Sequence, residues 1–208
     1  MKKILVVASL LASVGLAAPL HAEPVESSSR IAAMGGWQVL FNARFLDQAA
    51  ESGHPLEGPS KGGPAFLGTF GYRPFSELEV AIELGFSLDR YKFLSGESMT
   101  ASHFPLQILF RYSPFQLGPL TPYAGLGGGY LLNFFDKTPL GPIESHGAGP
   151  ILCVGLMTDP ARKYSFVAEF RMGFVRVELP GIGFINTAGP SLLLGVQINF
   201  PPEDKTLH

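Results

Sequence analysis

Residues 78–89, LEVAIELGFSLD, sort by parity into two unlike sets. Leu78, Val80, Ile82, Leu84, Phe86 and Leu88 make one; Glu79, Ala81, Glu83, Gly85, Ser87 and Asp89 make the other. A period of two belongs to a β-strand, whose successive side chains leave opposite faces. One wholly apolar face and one acidic, small-residue face must separate two different media. A soluble barrel or sandwich with an oily core does this. So does a membrane barrel with an oily exterior and a polar interior.

The same alternation recurs at residues 37–45, 65–73, 103–112, 122–135, 150–158, 164–177 and 190–200, which predicts eight strands in all. The segments between them alternate in length. Residues 47–63, 93–102, 136–147 and 179–189 read as longer loops, and 74–76, 113–121 and 159–163 as turns. An even number of strands, with short turns at one end and long loops at the other, is the layout of an up-and-down transmembrane barrel. No helix is required. Residues 23–36 read as a periplasmic lead-in and 201–208 as a polar C-terminal tail.

Periodicity alone does not say which face is wet. The polar face carries Arg44, Arg73, Glu79, Glu83, Asp89, Arg111, Glu169 and Arg171, with no lysine. Arginine is the cation suited to enclosed, bidentate pairing with carboxylates. Gly71, Gly85, Gly125, Gly127, Gly129, Gly155, Gly173 and Gly195 share that parity, leaving room for long side chains across a narrow eight-stranded lumen. The polar face therefore points inward as a charge network. Folding the hairpins about their connections sets Arg73 opposite Glu79 and Glu83 opposite Arg111. The apolar face is free of charge along its central spans, where Arg or Lys would cost about 2–4 kcal/mol in a bilayer. Its aromatics collect near strand ends, as interfacial girdles do.

The N-terminus adds a compartment. Lys2 and Lys3 precede an apolar run too short to cross a bilayer, and Leu20-His21-Ala22 offers a cleavage site. Residues 1–22 are expected to be a secretory signal peptide. Without them, 13 basic residues face 17 acidic ones, which argues against a nucleic-acid partner. The chain holds 17 Phe and 6 Tyr, yet the mature part has no apolar run of helix-spanning length. That combination is what a membrane barrel shows, because only alternate residues meet lipid. The single Cys153 rules out an internal disulfide.

With the signal peptide, FPLQILFRYSP at 104–114, LTPYAGLGGGY at 120–130 and the last strand LLLGVQINF, the chain resembles the small bacterial outer-membrane barrels of the OmpA, OmpX and OmpW type. It departs from that pattern in carrying PPEDKTLH after Phe200, where such barrels end on the aromatic. The resemblance implies an outer-membrane location and a monomer. Its implied partners are outer-membrane lipid or lipopolysaccharide, the barrel-insertion machinery and a small hydrophobic ligand. No cofactor is implied.

Three roles follow. Passage or binding of a small apolar molecule would use Leu131, Ile151, Val175, Val177 and Leu193, which have inward parity toward the long-loop end. Hairpin folding sets Leu131 opposite Ile151 and Val175 opposite Leu193, as a pocket at the outer mouth or as a plug of it. A structural or surface role would use the long loops. A lipid-modifying enzyme needs a nucleophile beside a base, but Ser102–His103 and Ser145–His146 are sequence neighbours and point apart in extended chain. His54, Glu51 and Glu57 lack metal-ligand spacing. No catalytic, cofactor or metal residue is assigned. A soluble secreted lipocalin-like barrel is the rival architecture.

Overall fold

The structure, a computed structural model, describes residues 28–40, 42–138, 141–158, 160 and 162–200. The expected signal peptide and the tail at 201–208 lie outside them. The strands are β1 (Ser28–Gln38), β2 (Gly63–Arg73), β3 (Leu78–Lys92), β4 (Ser98–Tyr112), β5 (Leu120–Asp136), β6 (Ile143–Thr158) and β7 (Tyr164–Gly173). β8 (Arg176–Leu179), β9 (Gly183–Asn186) and β10 (Pro190–Phe200) follow, and one helix, α1 (Ala43–Glu51), lies between β1 and β2. Eight strands close into an antiparallel barrel in the order β1-β10-β7-β6-β5-β4-β3-β2, while β8 and β9 pair only with each other.

Side chains obey the parity throughout. Leu84 and Phe166, on the outward set, are 64 % and 70 % exposed, and Phe66, Phe70, Ile108, Phe110, Leu126, Leu152 and Leu194 stand out beside them. This belt circles the wall and far exceeds the scattered apolar exposure of water-soluble monomers. Acyl chains match it; water does not. The inward set is buried, including every arginine and glutamate of the strands' lower half. The lipocalin-like alternative, oily inside and polar outside, is the reverse of what is found.

Three local differences from the sequence reading matter for the site. The first strand is residues 28–38, not 37–45. Gly35 and Gly36 made 23–36 look like a lead-in, but a Cβ on Gly36 would lie 1.9 Å from the Leu192 carbonyl, so the close β1–β10 seam requires glycine there. Residues 43–51 are helical, with Phe45 and Ala49, one turn apart, buried on the same face. That spacing overrides the short alternation up to Phe45. Finally, the seventh strand stops at Gly173, and most of the expected 179–189 loop belongs to the β8–β9 hairpin. Gly181 at φ 74° makes its turn, where Ile182 N–H donates to the Leu179 carbonyl at 3.0 Å.

Registers follow the turns. The β2–β3 ladder reaches Tyr72↔Val80, one step before Arg73 and Glu79. In β3–β4, Arg111 sits opposite Glu79 and Glu83 opposite Gln107, four positions from the expected pairing. The reason is a tighter hairpin: Phe93 N–H donates to the Glu97 carbonyl at 2.8 Å and Gly96 adopts φ 90°, so the strands start pairing again at Ser98. Leu131 faces Gly147 and Ile151 faces Gly127, rather than each other. Leu193 faces Glu169, and Val175 lies past the end of β7.

Candidate functional site

The lumen is filled by two different devices stacked along its axis. The lower one is ionic. Glu79 on β3 accepts a two-pronged contact from Arg30 on β1, Nε at 2.5 Å and Nη2 at 2.6 Å. Arg111 Nη1 reaches the same carboxylate at 3.0 Å, and Arg73 Nε lies 3.5 Å from it. Arg111 Nη2 also donates to Glu83 at 2.5 Å and to Glu169 at 2.9 Å. Arg171 bonds Glu83, lies 2.7 Å from Glu169 and donates to Gln107 at 3.1 Å. Tyr123 O–H donates to Glu169 at 2.7 Å and Thr69 O–H to Glu83 at 3.0 Å. Four guanidinium groups and three carboxylates thus cross-link β1, β2, β3, β4 and β7. Arg111, 1 % exposed, touches all three carboxylates.

This web needs small residues around it. A Cβ on Gly71 would fall 2.9 Å from Glu79 Cδ, and one on Gly155 would fall 2.4 Å from the Tyr123 ring. Such glycines are the room in which the long side chains lie.

The expected network residues therefore divide. Arg73, Glu79, Glu83, Arg111, Glu169 and Arg171 meet in one cluster. Arg44 does not; it is exposed on α1, outside the lumen. Its place is taken by Arg30, which has the same parity but falls in the stretch read as a lead-in. Asp89 is buried on the inward face but stands apart from the arginines. It accepts from Ser60 O–H, from Tyr91 O–H at 3.3 Å and from its neighbour Arg90 N–H at 2.8 Å. Tyr123 and Gln197, which accepts from Arg30, were missed as members; their inward parity is the signal that marks them.

The upper device is apolar. α1 and the β8–β9 hairpin fold over the mouth and bury Phe45, Ala49, Val177, Leu179, Ile182 and Ile185 against Tyr91, Phe93, Met99, Leu131, Phe135 and Val175. Leu131, Val175 and Val177 are thus parts of one packed cluster. Ile151 and Leu193 lie lower, in a second cluster with Met34, Leu67 and Leu109. A cavity of about 50 Å³ remains between the devices, lined by Ser87, His103, Gln107, Leu131, Ile151 and Leu193 among others. Small-molecule sites begin near about 300 Å³, so this one has room only for water.

The cap is tied to the barrel by a short polar chain. Asn42, which precedes α1, donates from Nδ2 to Tyr91 Oη at 2.6 Å and accepts the Asn186 N–H of β9 on Oδ1 at 3.0 Å. Gln48 Oε1 accepts the Phe184 N–H at 2.7 Å. Asp89, through Tyr91 and Ser60, anchors this chain on β3.

Outside the lumen, a groove of about 740 Å³ opens beside the start of α1, lined by Val39, Phe45, Phe174 and Phe184 with Arg44 and Arg176 at its edge. His103 is buried with Nδ1 2.7 Å from Asn133 Oδ1, while its neighbour Ser102 faces the other way. Glu57 is paired with Lys92 at 2.7 Å. Among the described residues no group of three or more His, Cys, Asp or Glu is placed to hold a metal, and no helix is long and apolar enough to cross a membrane.

No protein-family model matches the chain, and no curated protein matches it in sequence. Solved structures do. The outer membrane protein OprG from Pseudomonas aeruginosa is similar with a TM-score of 0.56 at 13 % identity, over 85 % of this chain and 97 % of that one. Ail, the attachment invasion locus protein of Yersinia pestis, in complex with the heparin analogue sucrose octasulfate, is similar with a TM-score of 0.52 at 12 % identity, over 84 % and 99 %. The chain has the fold of the small bacterial outer-membrane β-barrels.

Proposed function

We propose that this chain is an integral outer-membrane protein whose barrel is sealed, and that it acts at the cell surface through its cap rather than as an enzyme or an open pore. The observation that carries this is the double filling of the lumen: an arginine–glutamate web below, a packed apolar plug above, and about 50 Å³ between them. Eight strands leave a lumen that side chains can fill completely. The belt of exposed apolar side chains places the wall in lipid, and the longer connections mark the outward end. The last strand, ending on Phe200, is the part expected to meet the barrel-insertion machinery. The nearest thing to a catalytic pairing, Ser102 with His103, points to opposite sides of the wall.

The full chain reconstituted in planar bilayers tests this. A sealed barrel gives no stable conductance steps; a reproducible open level overturns the reading. Heat-modifiable migration in detergent, with recovery in the outer-membrane fraction, tests the location.

A second reading rests on the apolar mouth. Leu131 and Val175 lie beneath the cap, to which Val177 itself belongs, so a small hydrophobic molecule would reach them if the cap moved aside. Uptake of such a compound in the wild type and in Val175→Arg decides this. Equal uptake removes the passage reading.

A further inference from the structure

We propose that the groove beside α1 is a binding site for a phosphate-bearing lipid of the outer leaflet, acyl chain on its apolar wall and phosphate between Arg44 and Arg176. This deepens the outer-membrane reading and rests on it. The groove has an open volume of about 740 Å³, in the range of ligand sites and far above the lumen cavity. Its lining changes character in the direction a lipid requires. Val39, Phe174 and Phe184 are exposed apolar residues at the long-loop rim of the belt, above Trp37 and Leu192, which pair on the wall below. Arg44 and Arg176 stand beside them, both exposed, and no aspartate or glutamate lines the groove.

Neither arginine has a carboxylate partner among the described residues, whereas the four arginines in the lumen all do. Arg176 lies over the Phe184 ring at 4.3 Å. Stacking holds the guanidinium plane and leaves its N–H edges free for an anion. Two such groups over an apolar trough fit an anionic amphiphile: the fork geometry suits phosphate oxygens, and the trough suits hydrocarbon. Acyl chains continue downward onto the belt, which a water-borne anion has no reason to do. The groove also explains why Arg44 is on the outside. It is the residue whose parity placed it with the lumen arginines, and the helix turns it to the rim instead.

The test uses the full chain folded in zwitterionic detergent, with heat-modifiable migration checked for every variant, and bisphosphorylated lipid A as the probe. Binding is measured for the wild type, Arg44→Gln, Arg176→Gln, the double variant, Val39→Glu, and Arg90→Gln, an exposed cation at the same end outside the groove. Removing the charge-assisted hydrogen bonds of either arginine lowers affinity roughly ten-fold. The double variant should fall further, Val39→Glu should also weaken binding, and Arg90→Gln should match the wild type. Equal binding by wild type and double variant overturns the site, as does an equal loss in Arg90→Gln. Inorganic phosphate that competes fully at millimolar concentration would show a free-anion site, and the lipid assignment would fall. A chain that folds and inserts but fails these arms leaves the outer-membrane reading standing and removes only the groove.

Discussion

The two halves of the lumen are closed by opposite means. The lower half is held by charges on rigid strands, each bonded to more than one partner; the upper half is held by apolar packing of segments that are not part of the wall. In the lower half, removing one group strands others, because buried charges without partners are costly. In the upper half, removing one group leaves a hole in an apolar cluster shared by the cap and the wall. The same chain therefore carries a charge-linked lower core and an apolar cap built from segments outside the wall.

The largest expected effect is at the hub of the stiff half. Arg111→Met leaves Glu79, Glu83 and Glu169 short of a shared partner. The barrel should lose about 3–5 kcal/mol, read as a lower urea midpoint for the shift from the folded to the unfolded gel band. A change under about 1 kcal/mol would mean that solvent or a neighbouring arginine replaces it, and the contrast between the halves would weaken.

Phe45→Ala tests the other half with a comparable local loss. Deleting a buried Phe costs about 3–5 kcal/mol, but here the ring packs between α1 and Tyr91, 5.7 Å centroid to centroid, at the mouth. The loss should appear as faster protease cleavage within residues 42–62, with the urea midpoint of the band shift nearly unchanged. If the midpoint falls together with that of Arg111→Met, cap and barrel are one unit.

Arg30→Gln and Arg44→Gln sharpen the boundary between the regions. Arg30 makes a bidentate contact in the buried web, so its loss should cost about 3 kcal/mol. Arg44 is exposed, so its loss should stay within about 0.5 kcal/mol. Parity alone treats them alike.

That pair also marks how far the chain could be read before its structure. The lower half was legible because a β-strand converts parity directly into facing: Arg73, Glu79, Glu83, Arg111, Glu169 and Arg171 needed no knowledge of loops. Register was less legible. Arg111 pairs with Glu79 instead of Glu83 because Gly96 tightens a turn, yet the guanidinium is long enough to reach both. The cap was not legible. Its residues, Phe45 to Ala49 and Val177 to Ile185, lie in connections whose short alternation or Gly-Pro content hides a helix and a hairpin that form only by packing on the mouth. Leu131, Val175 and Val177 stood out as apolar and inward. Val177 belongs to the hairpin that covers the other two, and the rest of the cover comes from elsewhere in the chain, so parity left pocket and plug indistinguishable.

A smaller effect than that of Arg30→Gln is expected at the joint between the halves. Asn42 holds Tyr91 of the wall with one end of its amide and the Asn186 N–H of the hairpin with the other. Asn42→Ala removes both bonds and leaves a backbone donor without a partner, for about 1–2 kcal/mol. If cap opening is local, amides in α1 and β9 should exchange with solvent roughly ten-fold faster, while those of the β3–β4 ladder keep their wild-type rates. Uniform acceleration across cap and ladder would show that Asn42 braces the whole barrel. No acceleration in α1 would show that apolar packing alone seats the cap, and that the polar chain running from Asp89 through Tyr91 to Asn186 only follows it.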